Sequence, residues 1–254
     1  MIALSAQTIE LAIASLLWPF VRILAVIGTA PLLSHRLVPV RVKIGLALLT
    51  AFVIAPTIPV PATSLASPTG IVLLLQQILV GVAIGFTLRI VTAAVELAGE
   101  LIGLQMGLNF AGFFDPATND QGTPVGAFLS MMVALLFLAI NGHLLVLGGL
   151  AESFRIFPIG VDGFAFNDWH RIASLGAELF RIGLYVALPI IATLMICNLG
   201  LGILARVAPQ LNIFAVGFAL TVLVGFFMLA LALPAIGQYI ETTLVRGVDL
   251  QFRR

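Results

Sequence analysis

An all-α membrane protein is the fold class this sequence predicts, and three observations predict it. Of its 254 residues, 61% are hydrophobic and 9% charged, where an ordinary soluble domain carries roughly 45–50% and 25%. Apolar blocks recur along the whole length, each close to the roughly 20 residues that cross a bilayer. The gaps between them are short and hold most of the charge, so no large polar domain is left over. A chain this size cannot enclose that much apolar surface in a core of its own, whereas a bilayer supplies an apolar solvent from outside. Twelve Lys plus Arg against eleven Asp plus Glu give a net charge of +1, which excludes the basic face that nucleic acid demands. The one cysteine, Cys197, lies in an apolar run and reads as a small hydrophobe.

The elements follow in order. Met1 to Glu10 contains no Lys or Arg, so the first apolar segment is expected to stay in the mature chain. Leu11 to Leu33 is apolar except for Arg22. The basic turn His35-Arg36-Leu37-Val38-Pro39-Val40-Arg41-Val42-Lys43 follows, and its charges place it on the cytoplasmic side. Ile44 to Leu88 has no charged residue, and Pro56, Pro59, Pro61 and Pro68 divide it into a helical hairpin. Arg89 to Leu108 reads as a helix with a polar side, and Asn109 to Pro124 as a Gly, Pro, Asp and Asn-rich loop. Val125 to Ala151 reads as one apolar helix containing Asn141-Gly142-His143. Four of the eleven acidic residues and several arginines fall between Glu152 and Arg181, with a helix opening near Asp168. Ile182 to Ala205 and Val207 to Ile240 form a second hairpin about Arg206 and Pro209, each with an internal proline, Pro189 and Pro234, that suggests a kink. Hydropathy thus predicts about six spanning helices.

Arg89 to Leu108 carries the most information. At about 100° per residue, Arg89, Thr92, Glu96, Gly99, Glu100, Gly103 and Gly107 share one sector, so charges and glycines lie on one face. The small-xxx-small stripe invites close approach of another backbone. The carboxylates Glu96 and Glu100 need cations, donors or water in an apolar setting, and either satisfy a neighbouring helix or line a polar conduit. Beyond them, Met106-Gly107-Leu108-Asn109-Phe110-Ala111-Gly112-Phe113-Phe114-Asp115-Pro116 puts bulky apolar side chains on an irregular strip. Such a strip anchors at a membrane interface or forms a constriction that excludes water. His143 stands beside Asn141 with no second ligand at metal spacing. No phosphate loop, Ser elbow or His-Glu-x-x-His is present, so neither metal, cofactor nor enzymatic activity is expected.

Three stretches carry a resemblance. Glu96-Leu97-Ala98-Gly99-Glu100 runs through Gln105-Met106-Gly107 to Phe113-Phe114-Asp115-Pro116. Asn141-Gly142-His143 and Arg206-Val207-Ala208-Pro209-Gln210-Leu211-Asn212-Ile213-Phe214 follow. In this order the chain resembles, over essentially its whole length, the FliR family of flagellar type III export-gate proteins. Arg206, Pro209, Gln210, Asn212 and Phe214 form the most specific motif. The resemblance implies one copy assembling with FliP and FliQ subunits, with FlhB as a further partner, in the inner membrane at the flagellar basal body. Unfolded flagellar subunits would pass through the resulting pore. It also implies a FliP-like part over about 1–177 and a FliQ-like hairpin and tail over about 178–254. Met106, Phe110, Phe113 and Phe114 would plug the closed pore. By the same resemblance the hydrophobic hairpins need not all cross the bilayer. Virulence injectisomes contain a related protein. The reading from another class is a secondary transporter moving a small solute or ion past Arg89, Glu96 and Glu100. That class calls for an internal repeat of broken helices, and no convincing second copy of the Arg89 to Leu108 pattern is present.

Overall fold

The computed structural model describes residues 6–59, 61, 63, 67–108, 122–160, 166–210 and 213–252. Every described element is helical: α1 (Ala6–Thr29), α2 (Val40–Ile54) with a 3-10 turn at Ala55–Thr57, α3 (Pro68–Gln105), α4 (Pro124–Ala139), α5 (Gly142–Ile156), α6 (Phe166–Val207) and α7 (Ile213–Phe252).

Local chemistry sets the ends. Pro39, at φ −58°, precedes α2, and Lys43 closes the basic turn by donating its Nζ to the carbonyls of Ser34 and His35. Ser67 accepts from the Gly70 N–H at 3.0 Å, which caps α3 immediately before Pro68 at its first position. Thr123 and Pro124 repeat this device at α4, where the Thr123 hydroxyl accepts from the Gly126 N–H. Gly107, at φ +81°, ends α3 in the left-handed conformation that glycine tolerates.

Three expectations change here. Arg89 to Leu108 is not a separate element: α3 runs unbroken for 38 residues from Pro68, because nothing between Leu88 and Thr92 breaks a helix. Val125 to Ala151 is not one helix either. Asn141 adopts φ +54° and the chain bends 68° between α4 and α5. Asn reaches that conformation more readily than other side chains, and the Gly142 that follows puts no side chain in the elbow. The third concerns the span count. Among the described residues, four helices are long and apolar enough to cross a membrane, or five if the bent pair counts as one span, while the apolar part of α1, Ile13–Thr29, is shorter. Pro189 and Pro234 lie inside continuous helices.

The chain divides into two compact units, Met1–Ile90 with Asn141–Leu175 and Leu244–Arg254, and Val91–Ile140 with Gly176–Thr243. In the first, α1 and the opening half of α3 run parallel. A side chain at Gly81 would strike the Arg22 carbonyl and the Ala25 methyl, and one at Gly85 would strike Thr29. In the second, α6 and α7 form an antiparallel hairpin, with Tyr185 against Tyr239 at 5.1 Å near one end and Leu201 against Gly217 near the other. Gly183 lets α6 lie directly on Ala94 and Leu97 of α3. Large apolar side chains such as Phe52, Ile196 and Phe227 stay exposed, which only lipid or further subunits can cover.

Candidate functional site

The site builds up from the last three turns of α3. Gly99 and Gly103 present bare backbone to the start of α4. A Cβ on Gly99 would stand 2.5 Å from the Gly126 Cα, and one on Gly103 would stand 2.6 Å from the Thr123 Cβ. That closeness lets the Thr123 hydroxyl donate to the Gly99 carbonyl at 3.2 Å. It also brings Glu100 within reach, and its Oε1 accepts from the Thr123 N–H at 2.7 Å. A carboxylate thus meets the orphan N–H groups and positive dipole end of a helix, where negative charge is stabilised. Glu100 is half-buried, whereas Glu96 and Arg89 on the same helix are exposed.

One turn further, Met106 is buried at 1% exposure. Its carbonyl accepts from the Thr221 hydroxyl at 3.3 Å, and its side chain fills the notch over Gly225, where a Cβ would come within 2.6 Å of it. Gly107 then turns the chain beside the Phe218 ring, and the Leu108 N–H returns to the Gly103 carbonyl. Leu108 and Thr123, described on either side of residues 109–121, therefore both bond to the last turns of α3. Phe110, Phe113 and Phe114 lie outside the described residues.

Of the sequence-predicted residues, Gly99, Glu100, Gly103, Met106 and Gly107 come together at this corner, with Gly107 serving as a C-terminal turn and not as part of the packing stripe. In the family motif, Arg206, Pro209 and Gln210 are exposed at the α6–α7 turn. Asn212 lies outside the described residues, and Phe214 falls in the first turn of α7. His143 is exposed at the α4–α5 elbow. Among the described residues no group of three His, Cys, Asp or Glu side chains could hold a metal ion.

A second polar centre lies in the first unit and was visible only as an exception in an apolar run. Arg22 is fully buried. Its Nε donates to Gln77 Oε1 at 2.8 Å, Nη1 to the Ser153 carbonyl at 3.0 Å and to Ser153 Oγ, and Nη2 to the Phe157 carbonyl at 2.8 Å. The guanidinium lies 4.1 Å from the Phe154 ring centre. A lone Arg amid 20 apolar residues was the available signal, since burial forces such a group to find acceptors.

A model of the bacterial export proteins, family 1, matches residues 13–246. The flagellar biosynthetic protein FliR of Pectobacterium carotovorum subsp. carotovorum is 46% identical over 233 residues, covering 92% of this chain and 89% of that protein. FliR of Escherichia coli K12 is 45% identical, covering 88% and 86%. FliR of Bacillus subtilis 168 is 35% identical, covering 85% of each. The chain, an all-helical membrane component of the flagellar export apparatus, belongs to the bacterial export proteins of family 1, the family of FliR.

Proposed function

We propose that the chain forms, with FliP and FliQ subunits and with FlhB as a further partner, the inner-membrane pore through which unfolded flagellar subunits leave the cytoplasm. It catalyses no reaction itself. About 1–177 correspond to a FliP-like part and about 178–254 to a FliQ-like hairpin and tail, and the basic turn from His35 to Lys43 faces the cytoplasm. The segment from Gly107 to Pro124 fills the closed passage with Phe110, Phe113 and Phe114, while Met106 anchors its base. One observation carries this reading: both ends of that segment are fixed to the same two turns of α3, by Met106 beneath α7 and by Thr123 on Gly99 and Glu100. A rigid base with glycines beyond it suits a plug that a passing polypeptide can displace. The exposed Arg89 and Glu96 face partner subunits or the wet lumen.

The test uses the complex. Tagged chain co-expressed with its membrane partners is purified and weighed intact, then reconstituted in vesicles. Changing Phe113 and Phe114 to Ser leaves the assembly's mass unchanged, because a loop adds little core packing, and raises ion conductance several-fold. A chain that purifies as a homo-oligomer would remove the pore reading. Equal conductance in an assembled variant would remove the plug.

A further inference from the structure

We propose that the seam between α1 and α3 around Arg22 is a binding site for one small monovalent anion of the halide class. Arg22 brings a full positive charge into the first unit with no exposure to water. Its acceptors are two backbone carbonyls, a hydroxyl and an amide oxygen. They satisfy hydrogen bonds, and none supplies a negative charge. A buried ion without a counter-ion is costly even when its N–H groups are bonded.

Two further donors on this seam have no acceptor among the described residues: the indole Nε1 of Trp18 and the amide Nε2 of Gln77. Both side chains are fully buried. The amide of Gln77 cannot be turned round to relieve this, because its Oε1 already accepts from Arg22, which has only donors to offer. The parallel register that sets Arg22 beside Gln77 and Gly81, and Thr29 beside Gly85, sets Trp18, one turn before Arg22, within about one turn of Gln77 on the same seam. Indole, amide and guanidinium therefore line one stretch of the seam. A water molecule there could serve these donors but brings no charge, so the buried cation would stay uncompensated. The unpaired Gln76 Oε1 lies about 100° further round α3. An anion accepts from every donor and neutralises the cation.

The protein is purified from membranes with the subunits that accompany it. Chloride is exchanged for gluconate at constant ionic strength and pH, and the thermal midpoint is recorded. A saturable rise with chloride is expected, because a ligand that binds only the folded state stabilises it by mass action, and bromide should substitute. Gln77→Glu supplies a carboxylate at the same place, so its midpoint should be independent of chloride. Trp18→Phe removes one donor to the anion, and the chloride concentration giving half the effect should rise about tenfold. A midpoint indifferent to chloride in the unaltered protein, or a dependence that survives unchanged in whichever variants fold, would overturn the site.

Discussion

Arg22 and Glu100 are opposite charges handled by the same means. Each meets the end of a helix and, among their described hydrogen bonds, neither meets an oppositely charged side chain. Glu100 takes the Thr123 N–H at the N-terminus of α4, and Arg22 takes the C-terminal carbonyls of α5 at Ser153 and Phe157. The signs match the helix dipole in both cases. They differ in depth and in backup. Arg22 is fully enclosed and binds four acceptors, whereas Glu100 is half-buried and shares its task with the Thr123 hydroxyl. Depth makes a charge hard to replace, and a second cap makes one easy to replace.

That contrast can be broken first at Arg22. Arg22→Met keeps length and apolar volume but withdraws the buried hydrogen bonds to the Ser153 and Phe157 carbonyls, the Ser153 hydroxyl and Gln77 Oε1. The expected loss is about 3 kcal/mol, enough that the protein disappears from membranes. Immunoblotting of membrane fractions checks this, and a normal level would show that the enclosed cation is dispensable. A middle effect belongs to Gly99→Ala, whose new methyl would stand 2.5 Å from the Gly126 Cα. Because the obstacle is backbone, α4 must shift, costing about 2 kcal/mol and lowering the thermal midpoint of the purified complex. An unchanged midpoint would mean that the α3–α4 seam is not tight. Glu100→Gln sharpens the comparison at its small end. Gln still accepts from the Thr123 N–H, so only the charge is lost, worth about 0.5 kcal/mol. Assembly should survive, and swimming in soft agar should separate a packing role, with motility kept, from a wet conduit that needs charge, with motility reduced.

Hydropathy and proline positions located most of the helices, and periodicity found one face of the corner. Glycines at 99 and 103 with Glu100 between them advertise close packing beside a carboxylate, and that is their arrangement. What remained hidden was partner identity. Nothing local says that Gly99 meets Gly126, or that the acceptor set for Arg22 comes from Ser153 and Phe157, some 130 residues away. Thr123-Pro124 and Ser67-Pro68 each carry a capping hydroxyl ahead of a first-turn proline, a helix-start signal that a reading of proline as a breaker passes over. The elbow at Asn141 was missed because Asn141-Gly142 sits within an unbroken apolar run, and hydropathy registers composition and not backbone handedness. The join at Arg89 was missed for the converse reason: a charge changes hydropathy without interrupting a helix.

The length of the helices has a consequence for where this chain can exist. At 1.5 Å per residue, the helical stretch Gly176–Val207, 32 residues, is about 48 Å long, against a hydrocarbon thickness of about 30 Å. Its charge-free part, Ile182 to Ala205, is about 36 Å and would fit by a tilt of about 35°, near the upper end of the usual range of roughly 0–40°. The ends that carry Glu178, Arg181 and Arg206 then stand beyond the hydrocarbon, where headgroups, water or a sheath of other proteins must meet them. Mismatch of this size acts as a mild sorting force: a copy held at a steep tilt in open lipid gains by joining an assembly that offers cover to both ends of the rod.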